Sequence, residues 1–284
     1  MKKVNYEVPR TDVAVLKFER YLRSQGYRES TLLDYVGRIK RYLGTVGTIE
    51  PTTQQAEKFR EGLIDKRLSK SSINNYSFAI QLYHGMLGTP LKLPHLPLGD
   101  KLPYFFDGDD IQEVFYCTTN IKYLAMLQVG FYSGLRASEI CALDDDDLNL
   151  ADKTVRVRGG KGDRDAMLYI NDECVATLKE YLKRRPDCKI KGKQPLFYTR
   201  DDKRYDRRMI YSIFRRCKDQ AGIKKPGGLH VFCRHSSATL MLKNGCDILT
   251  IKELLRHRNI STTEKYCHLA DQTKREKHDR YLKL

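Results

Sequence analysis

The chain has 284 residues, which is enough for two domains that each bury a hydrophobic core. A hydrophobic fraction of 40%, with 18 Tyr and 10 Phe, excludes a disordered chain. The 52 Lys and Arg residues against 36 Asp and Glu give a net charge of +16, spread over both halves of the sequence. This charge favours a polyanionic partner, although many soluble proteins are also basic.

The sequence contains no signal for export or for a membrane. It has no run of about 18 apolar residues, and the two lysines at the N-terminus are not followed by an apolar segment. The eight cysteines form no C-x-x-C pair and no spacing typical of a zinc site. We therefore expect a cytoplasmic protein with reduced thiols and without a bound metal.

The first part of the chain is predicted to be entirely helical. Apolar residues recur every three or four positions in residues 11–26, in a longer helix capped by Ser30, and in residues 52–63 and 72–87. The polar faces of these helices are basic, which is typical of an ordinary solvated face or of a surface that contacts phosphates. Proline-rich sequence follows, so we predict a helical domain over residues 1–92 and a linker over 93–103.

The second domain, residues 104–284, is predicted to combine helices with a small β-sheet. The strand-like alternation of side chains at 154–158 and 166–170 indicates a β-hairpin. Its glycine-rich tip carries Lys161 and does not have the residue spacing of a P-loop. A short edge strand is expected at 196–198. Helices are expected both before and after the hairpin. Arg136 lies just inside one of the helices before it. The fold class is therefore mainly α with a small β-sheet.

Four consecutive aspartates, Asp144 to Asp147, allow two interpretations. Carboxylates are ligands of hard cations, which favours a metal site. Consecutive positions cannot all point at one ion, however, and no glycine-punctuated loop accompanies them. We therefore interpret the run as a solvated turn and helix cap.

The segment from 229 to 269 carries most of the chemically interesting side chains. His230 and Arg234 are four residues apart, so one helix would project them from the same face, with Gly245 as its stop. A second amphipathic helix ends near His257. Ser261 and Glu264 form an S-x-x-E capping box for a short helix that carries Tyr266. A charged helix over residues 272–284 ends the chain.

Each of these residues alone is more often structural than functional, but their order is informative. Arg136, Lys161, His230, Arg234, His257 and Tyr266, within the texts SGLRASEI, GGKGDRD, LHVFCRHSSATLMLKNG and TIKELLRHRNISTTEKYCHL, resemble the tyrosine recombinase (phage-integrase-type) family. The text LSKSSINNYSFAIQLYHGML is similar to the core-binding domain of that family. The resemblance covers nearly the whole chain.

The resemblance implies a site-specific recombinase that cuts and rejoins duplex DNA through a 3′-phosphotyrosyl link. Arg136 and Arg234 would clamp the phosphate, and Tyr266 would be the nucleophile. Lys161 would protonate the leaving 5′ oxygen, His230 would assist proton transfer and His257 would bind the phosphate. The link stores the bond energy, so no ATP, metal or other cofactor is implied.

The resemblance also implies partners. Family members act on duplex recombination sites as tetramers that join two DNA sites, and the terminal helix often docks onto a neighbouring subunit. Apolar Tyr281, Leu282 and Leu284 fit such docking, or packing of the helix on its own domain. Accessory DNA-bending proteins are further expected partners, and the nucleoid is the expected location.

Two positions depart from the family pattern. Arg256 occupies a place where the family usually has glycine, so it either crowds the phosphate site or adds a DNA contact. Cys233 occupies a place where larger apolar residues are common. We interpret His235 and His268, which flank the motifs, as structural or DNA-facing.

Three other functions compete with recombination. A type IB topoisomerase-like enzyme would cut DNA without joining two sites, and a catalytically silent relative would only bind DNA. An unrelated basic structural protein would leave the ordered residues to coincidence. If the chain is a recombinase, the absence of a further arm-binding domain slightly favours the Xer type. The sequence is also compatible with an integrase of a mobile element.

Overall fold

The computed structural model describes residues 10–99, 104–159, 165–257, 259–264, 266, 278–279 and 282. The chain divides into two compact units, Met1–Asp100 and Lys101–Leu284. Lys161, His268 and nearly all of the predicted terminal helix lie outside the described residues. None of the helices in the described part combines the length and hydropathy that a membrane span requires.

The first unit is a helical bundle, as its apolar periodicity predicts. Its four helices are α1 (Arg10–Ser24), α2 (Glu29–Val46), α3 (Thr53–Asp65) and α4 (Lys70–Met86). Each helix buries one apolar face against the others, and Phe18, Leu32, Ile39 and Tyr83 are fully buried in the shared core. Burial of these faces, rather than helix propensity, supplies most of the stability of such short helices.

The N-termini of α2 and α3 are capped differently. Thr52 accepts a hydrogen bond from the backbone of Gln55, whose side chain bonds back to Thr52, so α3 begins with a capping box. The prediction that Ser30 caps α2 is wrong. The N–H groups of Thr31 and Leu32 donate to the carbonyl of Arg28, so the helix begins before Ser30 and has no side-chain cap.

The second unit combines helices with one small antiparallel sheet. The strands are β1 (Leu148–Asn149), β2 (Thr154–Val157) and β3 (Ala166–Tyr169), in the order β1-β2-β3. Val155 faces Leu168 and Val157 faces Ala166, which confirms the predicted hairpin. The helices are α5 (Gly108–Cys117), α6 (Ile121–Tyr132), α7 (Ala137–Ala142), α8 (Asp172–Arg184), α9 (Arg207–Gln220), α10 (Ser237–Lys243), α11 (Ile248–Leu254) and α12 (Ser261–Glu264).

The predicted edge strand at 196–198 is wrong. Leu196, Phe197 and Tyr198 are buried, and backbone pairing there is limited to single bridges at Pro195 and Tyr198. The apolar run therefore reflects packing into the core of the unit rather than a strand. A short apolar run is ambiguous in this way because burial alone does not require a ladder of hydrogen bonds.

The aspartate run forms the predicted turn and cap, but the interpretation that its side chains are solvated is wrong for Asp144 and Asp147. Asp145–Asp147 form a 3₁₀ turn, and the side chains of Asp144 and Asp147 are buried. Ion pairs replace water around them, because a buried carboxylate is stable only when it is paired and hydrogen-bonded. We call this group the aspartate cluster; it comprises Asp144, Asp145 and Asp147 with their partners Arg156, Arg158, Arg185, Lys193 and Arg204.

An aromatic core fixes the segment that carries the candidate site. The ring of Phe232 lies 4.9 Å from Phe214, 5.6 Å from Phe131 and 5.8 Å from Phe115. Phe232 is fully buried, so its backbone cannot shift without disturbing α5, α6 and α9 at once. The residues on either side of Phe232 are thereby held in place.

Candidate active site

The predicted helix from residue 229 begins as a π-helix. Residues Val231–Ser236 form this wider turn, and α10 continues from it. Because a π-turn closes on the fifth residue instead of the fourth, His235 comes next to His230. Their ring centroids are 4.9 Å apart. The Ser236 hydroxyl donates to the carbonyl of Val231 and accepts from the N–H of Phe106, which stabilises the wide turn.

Arg234 connects three segments that are distant in sequence through hydrogen bonds to backbone carbonyls. Its Nη1 donates to the carbonyl of Gly134, and its Nη2 donates to the carbonyl of Leu255, both at 2.6 Å. The side chain is only 1% exposed. Burial, with the nearby charge of Arg136, lowers the pKa of this guanidinium to about 10, so it remains charged at neutral pH.

Gly134 lies where these segments approach each other. Its φ of +57° lies in the left-handed region, and an added Cβ would lie 2.6 Å from Leu255 Cδ2. A larger residue here would strain the backbone and displace the side chain of Leu255, whose carbonyl accepts from Arg234. The glycine two residues before Arg136 thus has a packing explanation as well as a place in the motif.

Arg136 lies at the N-cap of α7, one residue before the predicted position inside the helix. Its backbone N–H donates to Oε2 of Glu139 at 2.7 Å, and its Nη1 donates to Oε1 of the same carboxylate at 2.9 Å. The Arg136 side chain is 31% exposed and that of Glu139 is 12% exposed. The carboxylate therefore orients a guanidinium that still reaches solvent.

Arg256 is a second cation on the same carboxylate. Its Nη2 lies 2.7 Å from Glu139 Oε2, and its side chain is 15% exposed. Its φ of +54° is a left-handed conformation directly after α11, where glycine is the usual residue. Burial alone raises the pKa of Glu139, but the charge of Arg256 and the contacts from Arg136 lower it overall.

His257 is positioned by the segment that leads to Tyr266. Its Nδ1 lies 2.9 Å from the hydroxyl of Thr263, which is buried in α12. Burial, followed by the charges of Arg234 and Arg136, lowers the pKa of His257 to about 4. The ring is therefore neutral at physiological pH, and with Nδ1 bonded, Nε2 remains for a ligand.

His230 lies at the exposed rim of the site. The protein packed around its ring lowers its pKa, and the charges of Arg234 and then Arg136 lower it further. A neutral imidazole at this position can accept or pass on a proton.

Tyr266 is buried beside the guanidinium groups, in the turn that follows α12 and not in the helix itself. It is 2% exposed and packs with Ala238, Leu242, Ile251 and Leu255. Its hydroxyl lies 2.8 Å from Nδ1 of His235. Burial raises the pKa of Tyr266 to about 12, and the charge of Arg234 opposes this effect.

A cavity of about 230 Å³ lies among these side chains. Its walls are strongly basic, and five of the lining side chains carry a guanidinium or an imidazole ring. The lining residues are Arg136, His230, Arg234, Arg256, His257, Asn259 and Thr262. Such a wall suits an anion with several oxygens, because guanidinium groups bind phosphate and carboxylate with directed N–H pairs.

The structure brings four of the six predicted residues, Arg136, His230, Arg234 and His257, to one cavity, with Tyr266 beside it; Lys161 lies outside the described residues. Sequence reasoning missed the contact between His235 and Tyr266, because an α-helical period points His235 away from His230. It also missed Glu139, although a Glu three residues after an N-cap is a capping signal that could have identified it. No group of His, Cys, Asp or Glu in the described part of the chain is arranged to hold a metal.

The second unit matches a known protein family. The model of the phage integrase family matches residues 105–273, which contain all six predicted residues. The tyrosine recombinase XerA of Pyrococcus horikoshii is 30% identical over 278 residues, covering 95% of this chain and 93% of the relative. The tyrosine recombinase XerC of Bacillus subtilis is 27% identical and covers 89% of this chain and 90% of the relative.

Solved structures share the fold. A crystal structure of XerA recombinase aligns with a TM-score of 0.57 at 27% identity, over 96% of this chain and 99% of that one. The XerH site-specific recombinase bound to its difH substrate before cleavage aligns with a TM-score of 0.71 at 16% identity, over 93% and 95% of the two chains.

Proposed function

This chain belongs to the phage integrase family and is a tyrosine recombinase, and we propose that Tyr266 cuts one DNA strand at a phosphate held in the basic cavity. The observation that carries this proposal is the double contact of Arg234. It joins the carbonyls of Gly134 and Leu255, which are 100 and 21 residues away in sequence, so that the segments bearing Arg136 and His257 face one cavity.

The chemistry begins with neutralisation of the phosphate. Arg136 and Arg234 donate to the non-bridging oxygens, and Nε2 of His257 binds one of them. These groups stabilise the additional negative charge of the pentacoordinate transition state, where fixed N–H donors have their largest effect. The two guanidinium groups also favour the phenolate of Tyr266, because nearby positive charge lowers the pKa of a phenol.

Cleavage then exchanges one phosphoester bond for another. The Tyr266 oxygen bonds to phosphorus, the bond from phosphorus to the 5′ oxygen breaks, and the phenol proton leaves through the adjacent imidazole groups. Lys161 protonates the 5′ oxygen and His230 assists this transfer. The product is a 3′-phosphotyrosyl link and a free 5′ hydroxyl. Attack by the 5′ hydroxyl of a second strand reverses the step and releases Tyr266.

The remaining partners belong to the same proposal. The first unit is a core-binding domain that binds duplex DNA through its basic faces. Residues 93–103 link it to the catalytic domain. Four copies assemble on two DNA sites, with the terminal helix docked onto a neighbouring subunit, and accessory DNA-bending proteins assist assembly on the nucleoid in the cytoplasm. The exposed side chain of Leu282 supports the docking.

The test is covalent capture of the nicked strand. Duplex DNA that binds the protein is first selected from a random pool. It is then resynthesised as a series of duplexes, each with a nick at a different base. When the nick lies just past the cleavage position, the short cleaved fragment diffuses away and the strand cannot be rejoined. On a denaturing gel we expect a protein–DNA adduct that forms even when a chelator is present. The Tyr266→Phe variant should form no adduct. DNA binding without an adduct would favour the silent relative. An adduct in the Phe variant would disprove the role of Tyr266.

A second measurement separates recombination from topoisomerase activity. Two duplexes of different length that carry the selected site are incubated with the protein, and joined products are measured. We expect recombinant duplexes of new length, because the free 5′ hydroxyl of one duplex attacks the link on the other. Relaxation of supercoiled DNA without joined products would favour the topoisomerase-like function instead.

A further inference from the structure

Arg256 is the one guanidinium in the cavity wall, among the described residues, that the proposed reaction leaves without a role. Within that part of the chain its side chain forms one hydrogen bond, from Nη2 to Glu139. Its Nε and Nη1 are buried and have no hydrogen-bond partner there. Buried N–H donors without partners are costly, so the hydrogen bonds of Arg256 do not explain why it is accommodated.

The backbone does not explain Arg256 either. The position needs a left-handed conformation, with φ at +54°, and glycine adopts this conformation without the clash that a Cβ introduces. The chain therefore accepts a strained backbone and a poorly satisfied guanidinium at the same residue. Strain of this kind persists where the surrounding structure or the function requires it.

The effect of Arg256 that remains is its charge. Arg136 and Glu139 alone form a neutral pair, in which the carboxylate holds the guanidinium through Nη1 at 2.9 Å. With Arg256 on Oε2 at 2.7 Å, two cations share one carboxylate. The group of three then carries one net positive charge, and the carboxylate attracts Arg136 less strongly because it is already paired.

We propose that Arg256 is a positioning residue that neutralises Glu139 and so leaves the charge of Arg136 available to the scissile phosphate. This inference rests on the proposed function. Without Arg256, the buried carboxylate would compete with the phosphate for Arg136. The consequence falls on the rate of cleavage and not on the affinity for the rest of the DNA site.

A double-mutant cycle tests the route through Glu139. Arg256→Gly, Glu139→Gln and the double variant are compared in single-turnover adduct formation on saturating nicked DNA. We expect Arg256→Gly to cleave about tenfold more slowly than wild type, with DNA affinity unchanged. In the Glu139→Gln background the same change should have almost no effect, because no carboxylate competes for Arg136. Glutamine keeps an oxygen that can accept the N-cap hydrogen bond.

Two controls make the cycle decisive. Lys191 is also a cation with a left-handed backbone, at φ +52°, in the same unit, so Lys191→Gly removes an equal charge and an equal strain elsewhere. It should cleave like wild type. Arg256→Lys, which keeps the charge, should recover most of the lost rate. Thermal unfolding of every variant shows that the fold is retained.

The outcomes separate this inference from the proposed function. If wild type forms no Tyr266-dependent adduct, the proposed function fails. If wild type forms it and Arg256→Gly matches wild type, Arg256 has no part in cleavage. An equal loss in both Glu139 backgrounds would overturn the route through Glu139, because the effect of Arg256 would then not depend on that carboxylate.

Discussion

Arginines serve opposite purposes in two regions of the second unit. In the aspartate cluster they contact carboxylates directly: Arg158 Nε lies 2.7 Å from Asp147 Oδ1, and Arg185 Nη1 lies 2.8 Å from Asp145 Oδ1. In the cavity, Arg234 instead donates to two backbone carbonyls, at 2.6 Å each. No carboxylate within the described residues forms a salt bridge with it.

The difference lies in what each partner does to the charge. A carboxylate satisfies the N–H donors of a guanidinium and also cancels its positive charge. A carbonyl satisfies the donors but leaves the charge. The aspartate cluster therefore stabilises the fold, whereas the cavity keeps unbalanced positive charge in a buried place. Such charge is expensive to bury, so an anionic ligand that enters the cavity gains from it.

Removal of the Arg234 charge should have the largest effect. For Arg234→Gln we expect adduct formation to fall about 1,000-fold, because the substrate phosphate loses one fixed cationic donor. The free energy of unfolding should fall by about 2 kcal/mol, since two buried hydrogen bonds from a charged donor are lost. Single-turnover cleavage and urea unfolding measure the two effects. A rate loss below about tenfold would contradict the comparison.

The aspartate cluster should respond in the opposite sense. Asp147→Asn leaves Arg156 and Arg158 without their shared carboxylate, whose side chain is 3% exposed. We expect the free energy of unfolding to fall by about 2 kcal/mol, because hydrogen bonds to a buried carboxylate are lost while the arginines remain partly solvated. Cleavage per folded molecule should stay within about twofold of wild type, as the site is not touched. A large loss of rate in a folded variant would link the cluster to the chemistry.

The contact between His235 and Tyr266 should have a smaller effect on rate. The hydroxyl of Tyr266 needs an acceptor for its proton when it attacks, and Nδ1 of His235 lies 2.8 Å away. For His235→Phe we expect about tenfold slower adduct formation with unchanged DNA affinity, equivalent to one hydrogen bond. His95→Phe, at an exposed position of the first unit, is the control. Unchanged cleavage would leave His235 a purely structural role.

Acidification should have the smallest effect, and its direction follows from His257. The ordinary histidine pKa is about 6.5, and the folded protein lowers that of His257 to about 4. Between these pH values the unfolded chain binds more protons at His257 than the folded protein does. The contribution of His257 to the free energy of unfolding is therefore fully present above about pH 6.5 and is lost as the pH falls toward about 4. Allowing for solvent around the ring, we expect a loss of about 1 kcal/mol.

Urea unfolding at a series of pH values measures this loss. The variant His257→Gln should show a weaker dependence on pH than wild type over the same range, because its side chain does not titrate. The variant His95→Gln is the control and should keep the wild-type dependence. An undiminished dependence in His257→Gln would place its origin in other groups.

The helices and the order of the site residues could be predicted from the sequence, because both depend on local patterns. Apolar periodicity predicts the four helices α1 to α4. The hairpin of β2 and β3 follows from alternation around a glycine-rich tip. The family resemblance then predicts roles for residues such as Arg234 and Tyr266, which no local pattern could suggest.

The errors share a cause, which is that tertiary contacts decide them. The π-turn at Val231–Ser236 changes the period by one residue, and this brings His235 beside His230. The burial of Asp144 and Asp147 depends on arginines from other segments. The sequence marks Arg256 as a departure from the family pattern, but its left-handed backbone and its contact with Glu139 are visible only in the structure.

The two carbonyl contacts of Arg234 also couple chemistry to the completion of folding. Gly134, Arg234 and Leu255 meet only after segments 100 and 21 residues apart have packed together. A nascent or partly unfolded chain therefore carries the tyrosine but lacks the pocket that would make it reactive. Any DNA cleavage by Tyr266, as proposed above, would therefore require the second unit to be fully folded.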